Sequence, residues 1–331
     1  MKMTTLKSVA IAVGLASSAF GQATSPVVGY ETQVLRPGEF NLFGVRLFNQ
    51  VEVTGTFTGS TATTLTDANA DFSSLDAATM YTIEFASGSS IVGVSGASFA
   101  GTTVSGVSGV DASFETGYVV RESATISSVF GADNSAGLLA SAAADPSAAD
   151  QIFIPQPDGS FVTVFFSTFP DDPDFAGWLN SSTFEQVPDL VLDTDSGFFI
   201  QTQPTSSPSV VTSGAVKTLP SSITVDQPFS LVGTSYPAGA TLETSGMGAF
   251  LQSSANADPT EADVVFIPNP DGSFSQAFFS SFVGDDDFSG WLDSSTFAQV
   301  PDRPLTPAIL IQQRGPDVTG VNTPPAFFAN L

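Results

Sequence analysis

Two short acidic segments are the residues whose type and spacing could bind a metal ion. They precede the two Phe-x-Gly-Trp sequences at positions 175–178 and 288–291. Clustered carboxylate oxygens in a turn suit a hard cation such as Ca2+, which takes about six to eight oxygen ligands. Asp side chains also start and cap turns without a metal, and neither segment matches the helix-loop-helix calcium pattern. The candidate calcium ligands are Asp171, Asp172, Asp174, Asp285, Asp286 and Asp287.

Two tryptophans follow these acidic segments and could carry sugar binding. Trp178 and Trp291 are the only tryptophans in the chain, and each stands close to polar residues, at 180–182 and 293–295. An exposed indole ring beside amide and hydroxyl groups can stack on the apolar face of a sugar. A Gly-Trp-Leu sequence in a Phe-rich repeat is also typical of a buried core residue. Glycan stacking and core packing therefore both stand as interpretations.

A third segment, Asp193–Gly197, has the sequence Asp-Thr-Asp-Ser-Gly and is similar to the active-site sequence of aspartic proteases. In those enzymes two carboxylates share one proton, because both cannot ionise at close range. In a duplicated chain the second carboxylate should come from the second copy, but the matching region, 304–307, has no acidic residue. The sequence therefore favours a turn between strands over a protease site.

The composition removes most other catalytic arrangements. The chain has no Cys and no His, which excludes serine-histidine triads, cysteine-histidine dyads, disulfides and almost all zinc hydrolysis. Carboxylate pairs, Tyr, Lys and Ser-Lys arrangements remain, but no spacing among the 33 acidic residues nominates a glycosidase pair. The formal net charge of -25 predicts a surface that repels nucleic acid and anionic lipid and attracts cations.

The elements that must position these residues come from an internal repeat. Residues 144–189 and 257–302 align without gaps, and 31 of the 46 positions are identical. Each copy contains a Pro-Asp-Gly sequence, at 157–159 and 270–272, between two apolar runs. Pro presets a turn and Gly accepts a positive φ, so the spacing predicts a β-hairpin in each copy.

Shorter matches extend the repeat beyond this alignment. Phe40–Gly44 corresponds to Phe229–Gly233, and each unit ends in an apolar run, Gly197–Gln201 or Ala308–Gln312, that predicts a strand. Between Val51 and about Arg121 the first unit has extra Gly-, Ser- and Thr-rich sequence with period-two alternation, which predicts five or six short strands. There, Tyr81, Ile83 and Phe85 should face a core, and Thr82 and Glu84 should face water. The predicted helices are 123–131 and the Ala- and Leu-rich 136–144.

The predicted fold class is mainly β, with two related lobes of sandwich or open-barrel type from a tandem duplication and few short helices. The chain divides into a signal peptide (1–21), a first lobe (22–203) with an inserted region at about 51–121, an exposed linker (204–213), a second lobe (214–315) and a C-terminal tail (316–331).

The first residues predict export. Lys2 and Lys7 precede an apolar run from Val9 to Leu15, and small residues lead to a cleavage site after Gly21. No later stretch has the roughly 20 apolar residues that a spanning helix needs. We therefore expect an extracellular, cell-surface or periplasmic protein without a transmembrane segment.

The order of motifs resembles an uncharacterised family of secreted proteins from Verrucomicrobia and related bacteria. The motifs are the signal peptide, Val28–Tyr30, Phe40–Gly44, Ser127–Gly131 and a late Gly-Trp sequence. The resemblance implies export and a β-rich fold, and it transfers no activity or site residue.

From these observations we expect a noncatalytic structural or cell-surface protein that binds no nucleic acid. Its partner would be a second copy of itself or a surface polysaccharide, with no cofactor other than Ca2+. The alternatives are a glycan-binding or calcium-bridged adhesion module and, last, a carboxylate-based hydrolase.

Overall fold

The computed structural model describes residues 28–108, 117–226, 228–326 and 328, so the predicted signal peptide lies outside the described residues. Within these ranges the chain is mainly β, with one α-helix, α1 (Ile126–Phe130), and six 3-10 turns. Among the described residues, no helix is long and apolar enough to cross a membrane.

The described strands, in chain order, are β1 (Val28–Val34), β2 (Phe40–Phe43), β3 (Leu47–Phe48), β4 (Val51–Thr56), β5 (Gly59–Thr61), β6 (Thr64–Thr66), β7 (Met80–Phe85), β8 (Ser90–Ser95), β9 (Phe99–Ala100), β10 (Thr103–Ser105), β11 (Gly117–Glu122), β12 (Gln151–Pro155), β13 (Phe161–Thr168), β14 (Ala176–Asn180), β15 (Phe198–Gln201), β16 (Ser209–Val216), β17 (Ser221–Val225), β18 (Phe229–Gly233), β19 (Val264–Pro268), β20 (Phe274–Ser281), β21 (Ser289–Asp293), β22 (Ala308–Gln312) and β23 (Val318–Asn322). The 3-10 turns are Phe72–Ser74, Gly96–Ser98, Pro146–Ala148, Pro173–Phe175, Met247–Ala249 and Asp286–Phe288.

Two five-stranded sheets contain the repeated sequence. Their strand orders are β14-β13-β12-β15-β2 and β21-β20-β19-β22-β18, and all neighbouring strands are antiparallel. Strands from corresponding parts of the sequence therefore hold the same positions in the two sheets. None of the sheets formed by the described residues closes into a barrel.

The predicted hairpins are confirmed in both sheets. β12 pairs with β13, and β19 pairs with β20. At the first turn Gly159 has φ +81°, and the Asp158 carboxylate accepts a hydrogen bond of 3.0 Å from the Ser160 amide. At the second turn Gly272 has φ +91°, and Asp271 accepts the same bond from Ser273. The turn chemistry at each Pro-Asp-Gly sequence is consistent with the observed register of these strands.

One face of each five-stranded sheet packs on its own hydrophobic core. Leu35, Phe43, Ile126, Phe130 and Trp178 are among the buried residues on the first sheet. Ile223, Tyr236, Met247, Trp291 and Ile311 are among those on the second. The other face of each sheet is only partly covered.

The inserted region forms eight strands, more than the five or six predicted. They build two four-stranded sheets, β5-β6-β10-β9 and β4-β11-β7-β8, around a separate core that includes Phe57, Phe72 and Tyr118. Tyr81, Ile83 and Phe85 face this core as predicted. Glu84, which should face water, is instead only 2% exposed, because it is paired with basic side chains.

The first predicted helix is confirmed in part, and the second prediction is wrong. Within 123–131, α1 begins after Thr125, whose hydroxyl accepts a hydrogen bond from the Ser128 amide in a capping box. Segment 136–144 is not helical. Asn134 binds both the amide and the carbonyl of Leu138, and Gly137 has φ +77°. These side-chain bonds and the positive φ override the helix propensity of Ala and Leu.

Two segments predicted to lie outside the sheets contain strands. The second half of the predicted linker, 204–213, belongs to β16, which pairs with β1 over seven residue pairs and also with β3. Val210 and Thr212 are buried there, so this half is not an exposed linker. The predicted C-terminal tail, 316–331, contains β23, which pairs with β17.

The two five-stranded sheets meet where glycines allow close backbone approach. A Cβ at Gly44 would lie 2.1 Å from the Pro307 carbonyl oxygen, and one at Gly233 would lie 2.4 Å from that of Thr194. The Gly233 amide donates a hydrogen bond of 3.0 Å to the Asp195 carbonyl. This contact holds the Asp193–Gly197 segment against the second sheet.

Candidate functional site

The acidic segments form capped 3-10 turns. The Asp172 carboxylate accepts a hydrogen bond of 3.0 Å from the Asp174 amide, and Asp285 accepts the same bond from Asp287. Each bond satisfies a backbone donor at the start of a 3-10 turn. The turn-capping interpretation therefore describes what Asp172 and Asp285 do in this structure.

The backbone of each acidic loop is also held by a glutamine. The Gln186 side-chain amide donates to the carbonyl oxygens of Pro173 and Ala176, and Gln299 donates to those of Asp286 and Ser289. These bonds use carbonyl oxygens that could otherwise serve as calcium ligands. Among the described residues, no group of three or more acidic side chains is arranged to hold a metal ion. Calcium binding at the six candidate residues stays a prediction that only a titration can test.

Both tryptophans belong to the core. Trp178 is 1% exposed and Trp291 is 2% exposed. The Trp178 Nε1 donates to the Gly131 carbonyl at 2.8 Å. Each indole packs edge-on against a phenylalanine, Phe166 at 5.0 Å and Phe279 at 5.5 Å between ring centroids. The predicted sugar-stacking role requires an exposed ring face, and the structure gives neither ring one. Core packing is therefore the correct interpretation.

The polar residues after each tryptophan form a turn. Asn180 and Asp293 each accept hydrogen bonds from the two backbone amides at the second and third positions beyond them. Asp293 also pairs with Arg303 at 2.8 Å. Burial acts to raise the pKa of Asp293, but the bond from Arg303 and those from the amides outweigh it and lower that pKa to about 2. These polar groups stabilise a turn rather than form a sugar-binding rim.

Two buried carboxylates, which sequence reasoning missed, tie each repeat together. Asp150 and Asp263 are each 1% exposed. Asp150 accepts hydrogen bonds from the amides of Leu139 and Gln203, both at 2.7 Å. Asp263 accepts from those of Gln252 at 2.8 Å and Arg314 at 2.7 Å. Asp150 thus joins the segment before β12 to the chain just after β15, and Asp263 joins the segment before β19 to the chain just after β22.

A cluster of four charged side chains lies where the inserted region meets the two five-stranded sheets, and we call it the ion cluster. Its side chains are 1% to 13% exposed. The Lys217 Nζ lies 3.7 Å from Glu84 Oε1 and 3.6 Å from Asp195 Oδ1. The Arg121 Nε lies 3.3 Å from Glu84 Oε2. Two positive and two negative groups therefore balance in a buried site, where unpaired charges would be costly.

Each member of the ion cluster comes from a different element. Glu84 is on β7 and Arg121 is on β11, where the two residues lie on neighbouring strands. Lys217 directly follows β16, and Asp195 lies in the turn before β15. The Phe48 ring covers both cations, with its centroid 5.4 Å from Lys217 Nζ and 6.0 Å from the Arg121 guanidinium carbon. The ring adds cation–π attraction and excludes water.

Hydroxyl groups surround the acidic side of the ion cluster. Ser235 donates to Asp195 Oδ1 at 3.1 Å, and Ser90 donates to Asp195 Oδ2 at 3.4 Å. Burial, followed by the negative charges of Asp195 and Glu84, raises the pKa of the nearby Tyr236 hydroxyl. Each Asp195 oxygen thus accepts a bond from one serine hydroxyl, and Oδ1 also contacts Lys217.

The space beside the ion cluster is very small. A cavity of about 10 Å³ is lined by residues that include Phe48, Glu84, Arg121 and Thr194, which is room for at most about one water. No small-molecule substrate fits there.

The sequence carries no pattern that predicts the ion cluster. Lys217 is the only lysine after Lys7, and a single lysine in a strongly acidic chain would be expected on the surface. Its burial depends on Glu84 and Asp195, which lie 133 and 22 residues away in sequence. No local pattern joins such distant residues.

Comparison of the chain with protein-family models, with curated proteins and with solved structures finds no match.

Proposed function

We propose that this chain is an exported, noncatalytic structural or cell-surface protein that associates with copies of itself. Its main support is a row of partly exposed apolar side chains on three neighbouring strands of the outer face of each five-stranded sheet. The row on the first sheet is Leu42, Phe199 and Phe153, and the row on the second is Leu231, Leu310 and Phe266.

Strand register brings each row together. Leu42 pairs with Phe199, which pairs with Phe153, so the three side chains lie side by side on neighbouring strands. Leu231, Leu310 and Phe266 are joined in the same way. The two rows therefore occupy corresponding positions on two sheets of one chain.

An exposed phenylalanine stands at one end of each outer face. Phe40 is 54% exposed and Phe229 is 51% exposed. The Phe40 ring contacts Phe153 at 5.4 Å and Phe199 at 6.1 Å between centroids. Contiguous apolar surface of this kind marks interaction sites on secreted proteins, and β-sheet faces pack on one another through such side chains.

Two matching faces on one chain favour assembly beyond a dimer. If each face pairs with the same face of another copy, every chain has two partners, and the assembly can extend. The net charge of -25 opposes this association at low salt. Salt or a divalent cation, which screens the repulsion, should therefore promote it. The predicted signal sequence, and the resemblance to secreted β-rich proteins, support an extracellular or surface location for such an assembly.

Sedimentation velocity of the mature protein across concentration and salt tests the proposal. We expect reversible species larger than a dimer, whose fraction rises with salt. Phe40→Ser or Phe229→Ser alone should limit association to dimers, because one face remains. The double variant should be monomeric. Val283→Ser, which changes a 97% exposed residue outside the strands, is the matched control and should associate like the wild type.

A monomer at every concentration and salt, with or without Ca2+, would refute the proposal. Assembly that survives in the double variant would place the contact elsewhere on the chain. Turnover of glycan or peptide substrates by the purified protein would revive the hydrolase alternative.

A further inference from the structure

Lys217 has the surroundings of a reactive amine rather than of an ordinary surface lysine. It is the only lysine after Lys7 and is 1% exposed. Its Nζ contacts two carboxylates and lies against the Phe48 ring. A single amine held in a dry pocket beside a carboxyl group meets the positional requirement for amide formation, because proximity replaces a bimolecular encounter.

We propose that Lys217 forms an intramolecular isopeptide bond with Asp195, with Glu84 as the proton shuttle. The 3.6 Å between Lys217 Nζ and Asp195 Oδ1 places the amine beside the Asp195 carboxyl group. The Glu84 carboxylate, 3.7 Å from the same Nζ, is within reach of the proton that the amine must lose.

The two carboxylates differ in a way that assigns their roles. Glu84 Oε2 pairs with Arg121 at 3.3 Å, and its other oxygen, Oε1, faces the Lys217 amine. Asp195 accepts bonds from the neutral hydroxyls of Ser235 and Ser90. These donors polarise its carbonyl and stabilise negative charge on oxygen as the amine attacks. Asp195 is therefore the electrophile, and Glu84 is the base.

The reaction balances without any co-reactant. The Lys217 ammonium gives one proton to the Asp195 carboxylate, which leaves an amine and a carboxylic acid. The Nζ then attacks the Asp195 carboxyl carbon, and Glu84 accepts a proton from the nitrogen. Glu84 returns that proton to the departing hydroxyl, the C–O bond breaks, and one water leaves. The products are an amide and an unchanged Glu84 carboxylate.

The small cavity beside the cluster suits this product. It has room for about one water and is lined by Glu84, which protonates the departing hydroxyl, and by Thr194, the neighbour of Asp195 in sequence. The new bond would tie the turn before β15 to the end of β16, beside the contact between Asp195 and Gly233. An exported chain without cysteine would thereby gain the covalent cross-link that disulfides supply elsewhere.

Intact mass spectrometry of the purified, denatured protein tests the proposal directly. We expect a mass lower than that calculated from the processed sequence by one water, and a protease digest that yields a branched peptide joining residues 195 and 217. Lys217→Arg keeps the charge but lacks the amine nucleophile, so its mass should equal the calculated one. This control also separates the bond from succinimide formation at Asp158-Gly159 or Asp271-Gly272, which loses water in both proteins.

Two further variants test the assigned roles. Asp195→Asn should still react but lose ammonia instead of water, because attack on a side-chain amide releases its NH2 group as ammonia. Glu84→Gln should retain the full calculated mass, because the proton shuttle is absent. A wild-type protein of full mass, whose Lys217 reacts with an amine reagent after denaturation, would overturn the proposal and leave the ion cluster as a noncovalent pair. A branched peptide in Glu84→Gln would overturn the role of Glu84.

Discussion

Asp150 and Asp263 are buried carboxylates 113 residues apart that accept matching backbone hydrogen bonds in the two five-stranded sheets. Each carboxylate exchanges its bonds to water for bonds from the backbone amides of two segments. Without the carboxylate these amides would lack an acceptor. Such a carboxylate stabilises the fold only as long as every donor remains satisfied.

We therefore expect Asp150→Ala and Asp263→Ala to lower the free energy of unfolding by about 3 kcal/mol each, since at each site two backbone amides lose a carboxylate acceptor. Asn at either position keeps one acceptor oxygen and should cost less. Urea unfolding followed by circular dichroism measures both. Asp189→Ala, at an exposed position of the same repeat, is the control and should change the free energy by less than about 0.5 kcal/mol. Equal losses at Asp150 and Asp189 would contradict the role of the buried carboxylate.

The ion pair between Asp293 and Arg303 predicts a stability that depends on pH. The first repeat has Asn180 and Leu190 at the corresponding places, so it cannot form this pair. The pKa of Asp293 is lowered to about 2 in the folded protein. Its contribution is therefore fully present above the unfolded pKa near 4 and is lost as pH falls through about 2. Asp293→Asn should cost about 2 kcal/mol at pH 7 and almost nothing near pH 2.

Chemical denaturation of the wild type and of Asp293→Asn between pH 2 and pH 7 gives this difference directly. Asn keeps the turn, as Asn180 does with the amides of Ser182 and Thr183, so the loss reports the charge. In the background of Arg303→Leu the same substitution should cost much less. A difference that does not change with pH would show that the charge of Asp293 contributes nothing.

The hairpins and the alternating strand β7 could be predicted from sequence because their signals are local. Pro-Asp-Gly turns fix the pairing of β12 with β13, and period-two alternation places Tyr81 and Ile83 in a core. The helix prediction for 136–144 was wrong because Asn134, which lies outside the segment, forms side-chain hydrogen bonds with the backbone of Leu138. Composition within a window cannot reveal such a bond.

The candidate sites were harder to predict because the same residues suit opposite environments. Trp178 beside polar groups is compatible with a sugar platform or a core, and only the positions of Phe166 and Gly131 decide between them. The ion cluster needs four elements to meet, so period-two alternation wrongly placed Glu84 in water. Charge pairing between distant strands overrides the pattern at this position.

The burial of both tryptophans predicts their behaviour in solution. Emission should lie at short wavelength and resist quenching by acrylamide, and added polysaccharides should leave it unchanged. Trp178→Ala and Trp291→Ala should each lower the free energy of unfolding by about 4 kcal/mol, because a large cavity replaces the ring. Conservative Phe substitutions should cost less. Saturable quenching by a polysaccharide in the folded protein would contradict the buried assignment.

The acidic loops allow the capping and calcium roles to be separated, because Asn can cap a turn but is a weaker ligand for Ca2+. Without metal, Asp172→Ala and Asp285→Ala should each lower the free energy of unfolding by about 1 kcal/mol, and the Asn variants should change it little. Melting temperature and tryptophan emission are then followed as Ca2+ is added, with Mg2+ and Na+ at equal ionic strength as controls. If the loops bind calcium, the wild type gains stability in a saturable, calcium-selective way, and the double Asn variant does not. If Ca2+ acts only as ionic strength does, the six acidic residues serve the turns, and any effect of the cation on assembly comes from screening.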